Sequence, residues 1–163
     1  TIVKKNIGKS KLKSLIKEHD IIVMMGHGTE KGLVDADFNF LIDGQYVYLL
    51  REKTCIGIWC NADQFFKKHS LKGLATGMII SDYMEANLYC VNATYEEIEE
   101  SNFRFAQSVK HSLKLDDLEK TKYKIEESYS TDELNRVIDF NQKNIHFFGD
   151  DELVFCEKSK IHD

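Results

Sequence analysis

Two short apolar runs stand out in the first 60 residues of the chain. Residues 21–25 read Ile-Ile-Val-Met-Met and lead into a Gly-His-Gly sequence centred on His27. Residues 56–59 read Ile-Gly-Ile-Trp and lead directly into Cys60. Short runs rich in β-branched residues are typical of buried strands in a parallel sheet. Because chemistry in open α/β sheets lies at the carboxyl ends of the strands, the pattern predicts an imidazole and a thiol at one sheet edge.

Apolar and polar spacing predicts further strands around these two runs. An Asp-Gly pair at 43–44 separates two β-rich runs, which is a strong hairpin signal. The sequence therefore predicts a β-hairpin from residues 33–42 and 45–50, a core strand at 54–59, a third core strand at 78–81, a short strand or buried loop at 87–91, and late strands at 145–148 and 153–155.

Helical spacing of apolar residues predicts the remaining elements. Thr94 and Glu97 have the spacing of a capping box, in which each residue satisfies a backbone amide near the other. The spacing predicts helices at 9–19, 63–69, 95–113 and 115–129, and a further helix capped within 130–133 that turns Leu134, Val137, Ile138 and Phe140 inward. This order of elements predicts an α/β sandwich with a mostly parallel central sheet and a small antiparallel hairpin insertion.

The length, the net charge and the distribution of charged residues limit the classes of protein to which the chain can belong. The 163 residues fit one domain, residues 1–163, with a polar tail at 157–163, and the formal net charge is −5. Lys and Arg are spread among Asp and Glu and form no basic stripe, which disfavours nucleic acid as a partner. No apolar run reaches the length that spans a bilayer, so we expect no membrane partner.

The four cysteines are Cys55, Cys60, Cys90 and Cys156. Their wide spacing differs from that of a secreted disulfide framework, so we expect a reducing, cytoplasmic environment. Cys55, Cys60 and Cys90 with His69 lack the paired spacing of a zinc site, and we expect neither a metal nor another cofactor.

His27 and Cys60 together supply a general base and a nucleophile. Glycines on both sides of His27 let the backbone approach a ligand closely, and the amides of Gly28 and Cys60 are candidates for an oxyanion hole. A helix after Cys60 would favour the thiolate through its N-terminal dipole. The alternative is structural: Cys60 is then a packed core thiol, and His27 a turn residue.

The order of these motifs resembles that of the clan CD cysteine peptidases, which include caspases, metacaspases, legumain, clostripain, gingipain, separase and bacterial CHAT domains. The histidine motif, Gly-His-Gly-Thr at 26–29 followed by Gly-Leu at 32–33, is similar to theirs, and so is the cysteine block at 56–62. The block at 78–86 resembles their third strand, and 94–113 the long helix after it, although the family's first strand has at best a remnant at 1–5. The resemblance implies a caspase-like three-layer α/β/α fold. It also implies a dyad in which His27 is the general acid/base and Cys60 forms an acyl-enzyme with a peptide substrate.

Clostripain-like and CHAT members place substrate-pocket residues after the third strand, which points to Ser81, Asp82 and Glu85 here. A carboxylate in such a pocket favours Arg or Lys before the scissile bond, and Asp82 is the better candidate. The alternative is that Asp82 and Glu85 are solvated loop acids.

Two other functions stay open. One is the same fold without catalysis, acting as an interaction or regulatory module with a protein partner. The other is an unrelated α/β protein, for example a small-molecule hydrolase or a binding protein with a flavodoxin-like sheet.

Overall fold

The computed structural model describes residues 1–3, 7–112, 118–130 and 134–149. The chain forms two compact units, the first from Thr1–Gly77 with the segment that begins at His146, and the second from Met78–Ile145. The helices are α1 (Lys9–Glu18), α2 (Val47–Leu50), α3 (Ala62–His69), α4 (Tyr83–Leu88), α5 (Tyr95–Ser112), α6 (Leu118–Ser128) and α7 (Arg136–Gln142), and a 3-10 helix covers Gly44–Tyr46. The strands are β1 (Ile21–Met25), β2 (His27–Thr29), β3 (Gly32–Val34), β4 (Phe40–Ile42), β5 (Thr54–Ile58), β6 (Lys72–Thr76) and β7 (Ile145–Phe148).

A four-stranded sheet with the order β1-β5-β6-β7 runs through this mixed α/β fold. The pairings β1–β5 and β5–β6 are both parallel, which confirms the predicted mostly parallel sheet. The β1–β5 register runs from Ile21 opposite Thr54 to Met25 opposite Ile58. Both apolar runs that dominate the sequence pattern are therefore adjacent strands, and the predicted strands at 21–25 and 54–59 are confirmed to within one residue.

The core of the first unit lies between one face of this sheet and the helices. Met24 and Cys55 face it from β1 and β5, and α3 contributes Ala62, Phe65 and Phe66 at helical spacing. Trp59 joins the same cluster, with its ring in a T-shaped contact with Phe65 at 5.8 Å between centroids. The short helix predicted at 63–69 is thus confirmed, and aromatic packing anchors it to the sheet.

The predicted hairpin around Asp43-Gly44 is wrong. The Asp43 carboxylate accepts a hydrogen bond from the Gln45 amide at 2.9 Å and so caps the 3-10 helix, which continues into α2. The residues that α2 buries recur at helical rather than alternating spacing, at Val47, Leu49 and Leu50. The antiparallel insertion is instead a separate three-stranded sheet with the order β2-β3-β4.

The predicted third core strand at 78–81 is also wrong, because the strand lies six residues earlier, at β6. Gly73 in β6 stands opposite Cys55 in the register and has a φ of 128°. A Cβ at position 73 would lie 1.8 Å from the Cys55 carbonyl oxygen, so the close pairing requires glycine. Gly73 is therefore part of the strand.

Ile80, from the segment predicted as a strand, is held by a side chain instead. Asn141 Oδ1 accepts from the Ile80 amide at 2.8 Å, and Asn141 Nδ2 donates to the Ile80 carbonyl at 2.9 Å. The side-chain amide of Asn141 therefore satisfies the backbone N–H and C=O of Ile80, as a neighbouring strand would. Ile80 and Asn141 are both buried in the second unit.

Helices form most of the described part of the second unit. The predicted capping box is confirmed, because Glu97 Oε2 accepts from the Thr94 amide at 2.7 Å and Thr94 Oγ1 accepts from the Glu97 amide at 3.2 Å. The last helix is capped by Asn135, whose side chain accepts from the amides of Val137 and Ile138. Val137 and Ile138 are buried as predicted, whereas Leu134 is exposed because it precedes the cap. Residues 87–91, predicted as a strand or buried loop, are the end of α4 and the loop that follows it.

Some predicted features lie outside the described residues: the strand at 153–155, the tail at 157–163, and residues 131–133 of the proposed cap. Within the part of the chain that the structure describes, no helix combines the length and the apolar character needed to cross a bilayer.

Candidate active site

His27 and Cys60 occupy equivalent positions beyond two adjacent parallel strands. The last registered pair of β1 and β5 is Met25 with Ile58, and His27 and Cys60 each follow that pair by two residues. The Gly26 amide donates to the Ile58 carbonyl at 3.1 Å, so the two backbones remain paired one residue past β1. The structure therefore brings the two segments that carry the imidazole and the thiol to the same sheet edge.

Trp59 joins these two segments. Its indole ring lies against Gly28, so closely that a Cβ at position 28 would be 2.2 Å from Trp59 Cδ1. Its Nε1 donates to the Thr29 carbonyl at 3.1 Å. With only 3% of its surface exposed, Trp59 is fixed by the core and in turn fixes the strand that begins at His27.

Cys60 lies in a tight turn between β5 and α3. Asn61 adopts the left-handed conformation, with φ 65° and ψ 28°, and is the N-cap residue of α3. Asparagine tolerates this conformation better than most residues, which accounts for its position directly after the thiol. The Ala62 amide donates to the Trp59 carbonyl at 3.2 Å and closes the turn around Cys60.

The turn is also tied to the next strand of the sheet. Thr76 Oγ1 donates to the Trp59 carbonyl at 3.0 Å, and the Asn61 amide donates to the Gly77 carbonyl at 3.3 Å. Cys60 is half-buried in this setting, two residues before the first residue of α3. The N-terminal end of a helix favours negative charge, so this position suits a thiolate.

His27 is the first residue of β2 and is exposed. It pairs with Val34 of β3, which pairs in turn with Phe40 of β4. The next pair, Gly28 with Leu33, belongs to the opposite face, where Leu33 is buried. The small sheet thus turns His27 toward solvent and uses its other face for packing.

The other two described cysteines differ from Cys60 in their surroundings. Cys55 is fully buried in β5, and burial raises the pKa of its thiol to about 12. Cys90 is exposed and lies in the second unit. Cys55 is therefore protonated and inaccessible, and of these three cysteines Cys60 alone follows a strand next to the histidine segment.

Ser81, Asp82 and Glu85 belong to the second unit, where they cap α4. Asp82 Oδ1 accepts from the Glu85 amide at 2.8 Å. Glu85 Oε2 accepts from the Ser81 amide at 2.7 Å and from Ser81 Oγ at 2.9 Å. These three residues form a reciprocal cap, and their predicted part in substrate binding stays a prediction.

Asp63 is a residue that sequence reasoning missed. It lies in the first turn of α3, and its Oδ2 is 4.0 Å from Nε2 of His146 on β7. Among the described residues no donor reaches its buried Oδ1. Trp59 was also missed, although a lone tryptophan at a strand end directly before the candidate nucleophile was a usable signal.

No group of three or more His, Cys, Asp or Glu side chains with metal-binding geometry is present in the described ranges. No family model matches this chain, and neither the curated proteins nor the solved structures provide a significant match.

Proposed function

We propose that this chain is a cysteine endopeptidase with a caspase-like α/β/α fold, in which His27 and Cys60 form the catalytic dyad. The observation that carries the proposal is the register of β1 and β5, which sets both residues two positions beyond the last strand pair. Trp59 supports it, because the indole packs against Gly28 and bonds to Thr29.

The chemistry follows from these positions. His27 removes the proton from the Cys60 thiol, and the thiolate attacks the carbonyl carbon of a peptide bond. The negative charge that develops on the carbonyl oxygen is stabilised by the amides of Gly28 and Cys60. His27 then gives its proton to the leaving amine, and an acyl-enzyme remains on Cys60. Water, deprotonated by His27, attacks the thioester, and collapse releases the acid and restores the thiol.

The predicted preference for Arg or Lys before the scissile bond belongs to this proposal as a separate component. Asp82 is exposed, and one of its oxygens accepts a backbone hydrogen bond. Carboxylates with a solvent-facing oxygen can pair with a guanidinium or ammonium group. If Asp82 selects the substrate, Asp82→Asn lowers cleavage of Arg and Lys reporters relative to neutral ones, and an unchanged ratio removes Asp82 from the proposal.

The experiment that tests the dyad compares matched cysteine variants on a panel of fluorogenic peptides. Cys60→Ala, Cys60→Ser and His27→Ala should each lower kcat/KM by about 10³-fold or more. Cys90→Ala is the control, since Cys90 belongs to the second unit, and it should retain activity. Cleavage that survives in both Cys60 variants would remove Cys60 as the nucleophile. A folded wild-type protein that cleaves no peptide and reacts with no peptide-like electrophile would instead favour the interaction module.

A further inference from the structure

An exposed row of side chains crosses the small antiparallel sheet and starts at the proposed general base. The register pairs His27 with Val34, and Val34 with Phe40, although the β3–β4 register shifts by one residue between Leu33 and Val34. Paired residues on neighbouring antiparallel strands lie on the same face of a sheet. We refer to His27, Val34 and Phe40 as the exposed row. Val34 is half-buried in it, and the Phe40 ring is 43% exposed.

The loop that joins β3 to β4 presents a second phenylalanine in a strained backbone. Phe38 has a φ of 61°, and 82% of its surface is exposed. The Asp35 carboxylate accepts from the amides of Asp37 and Asn39, both at 2.9 Å, and so holds the loop in this shape. A bulky residue at positive φ is uncommon, and such strain is concentrated at binding and catalytic sites.

We propose that Phe40, together with Phe38, forms a subsite that binds a large apolar side chain of the peptide substrate. This inference rests on the proposed peptidase function, because the substrate is what must lie against His27. The exposed row begins at His27, so a peptide extended along it from His27 passes Val34 and reaches Phe40. Among the described residues, the hydrophobic core cluster of the first unit includes neither phenylalanine ring.

The spacing of the strands gives the position of this side chain in the substrate. Neighbouring strands lie about 4.8 Å apart, so Phe40 is about 10 Å from His27 along the exposed row. An extended peptide advances about 3.3 Å per residue. The apolar residue is therefore about three residues from the bond that Cys60 attacks. Asp35 and Asp37 belong to the loop between β3 and β4, so an acidic side chain of the substrate is disfavoured there.

The test uses peptides that differ at one position, three residues before or three residues after the scissile bond. Phe, Gly or Glu occupies that position. Cleavage is measured with the protein that carries Cys60. Binding is measured by fluorescence anisotropy with Cys60→Ala and Cys60→Ser proteins, which do not turn the peptide over. Phe40→Ala and Phe38→Ala are compared with Tyr48→Ala, an exposed aromatic residue whose ring faces the Lys13 ammonium.

We expect the Phe peptide to be preferred over the Gly peptide by about tenfold, and Phe40→Ala to abolish most of that preference. Tyr48→Ala should keep the preference intact. A wild-type protein that cleaves Phe, Gly and Glu peptides equally, or a preference that survives in Phe40→Ala, overturns the subsite but leaves the peptidase proposal standing. Binding that depends on Phe40 without any cleavage supports the subsite and overturns the peptidase. Absence of both binding and cleavage overturns the two together.

Discussion

Trp59 donates its indole N–H to the carbonyl oxygen of Thr29 across 3.1 Å. The two residues come from different sheets, Trp59 following β5 and Thr29 ending β2. This bond holds the histidine strand against the cysteine turn, so Trp59 is a positioning residue for the proposed dyad.

Trp59→Phe removes this bond while keeping an aromatic ring. We expect the free energy of unfolding to fall by about 1 kcal/mol, and kcat/KM to fall by about 10- to 100-fold, because small misplacements of catalytic groups are costly. Arg51→Gln is the control, since it removes a comparable 3.0 Å bond from Arg51 Nε to the His69 carbonyl. The control should lose stability without a matching loss of kcat/KM. Equal loss of activity in both variants would contradict a positioning role.

Gly28→Ala tests the packing of Trp59 against the strand that begins at His27. A methyl group at position 28 would lie 2.2 Å from Trp59 Cδ1 and 2.6 Å from the Gly32 carbonyl oxygen. Either the ring or the strand must move, so we expect near-complete loss of peptidase activity. A shifted tryptophan fluorescence maximum in a protein that retains its circular dichroism spectrum would locate the change at Trp59. An active variant with an unchanged spectrum would contradict the close packing.

Thiol labelling should separate the cysteines by environment. Cys55 is buried, and its thiol pKa of about 12 keeps it protonated, so iodoacetamide at pH 7.5 should modify it only after unfolding. Cys60 is less exposed than Cys90, yet a thiolate paired with His27 should react faster. Peptide mapping by mass spectrometry measures both rates. The advantage of Cys60 should disappear in His27→Ala. Faster labelling of Cys90 in the wild-type protein would argue against an activated Cys60.

His69 gives the first unit a pH-dependent stability. Burial lowers the pKa of its imidazole below 6.5, and the Lys68 and Arg51 charges lower it further. The folded protein therefore binds fewer protons than the unfolded chain just below pH 6.5. The free energy of unfolding therefore has its full value above pH 6.5, and it falls as the pH drops toward the pKa of His69 in the folded protein. Urea unfolding between pH 7.5 and 5.5 should show this decline in the wild-type protein and a shallower one in His69→Gln. An identical decline of the unfolding free energy with pH in both proteins would contradict the assignment of this pH dependence to His69.

Asn141 carries a large share of the stability of the second unit. Asn141→Ala leaves the amide and carbonyl of Ile80 without their partners in a buried setting. Each orphaned group costs about 1–3 kcal/mol, so the unfolding free energy should fall by about 3 kcal/mol. Asn144→Ala is the matched control, because the bond that Asn144 Nδ2 makes within the described ranges is to the nearby Phe140 carbonyl. The control should cost about 1 kcal/mol or less. Similar losses in both variants would show that the bridge to Ile80 contributes little.

The sequence pattern predicted the adjacent strands β1 and β5 well, because β-branched runs such as Ile21–Met25 have few competing interpretations. It also predicted the capping box of Thr94 and Glu97, since that motif is local in sequence. The misplacement of the third core strand, in contrast, came from long-range effects. The true strand pairs Gly73 closely with the Cys55 backbone, and Ile80, which the pattern placed in a strand, is held by the Asn141 side chain instead.

The candidate site was likewise predictable where it depends on local pattern and unpredictable where it depends on distant contacts. The positions of His27 and Cys60 follow from strand ends, which the pattern of apolar residues reveals. Trp59 was assigned only to a strand, because its bond to Thr29 joins residues 30 positions apart. The Asp43-Gly44 pair was misinterpreted for a local reason, since an aspartate can cap a helix as readily as it can start a turn.

Position 73 sets a limit on how this sheet can vary. A side chain there would meet the Cys55 carbonyl carbon at 2.8 Å as well as its oxygen, and backbone cannot yield as a flexible side chain does. In a library of random substitutions selected for folding, glycine should return at position 73. The strand β5, which leads to the cysteine, thus lies between β1, which leads to the histidine, and β6, whose spacing from β5 cannot increase at Gly73 without loss of the pairing. A side chain at position 73 would therefore displace β5 and, through the β1–β5 pairing, the sheet edge that carries both the histidine and the cysteine.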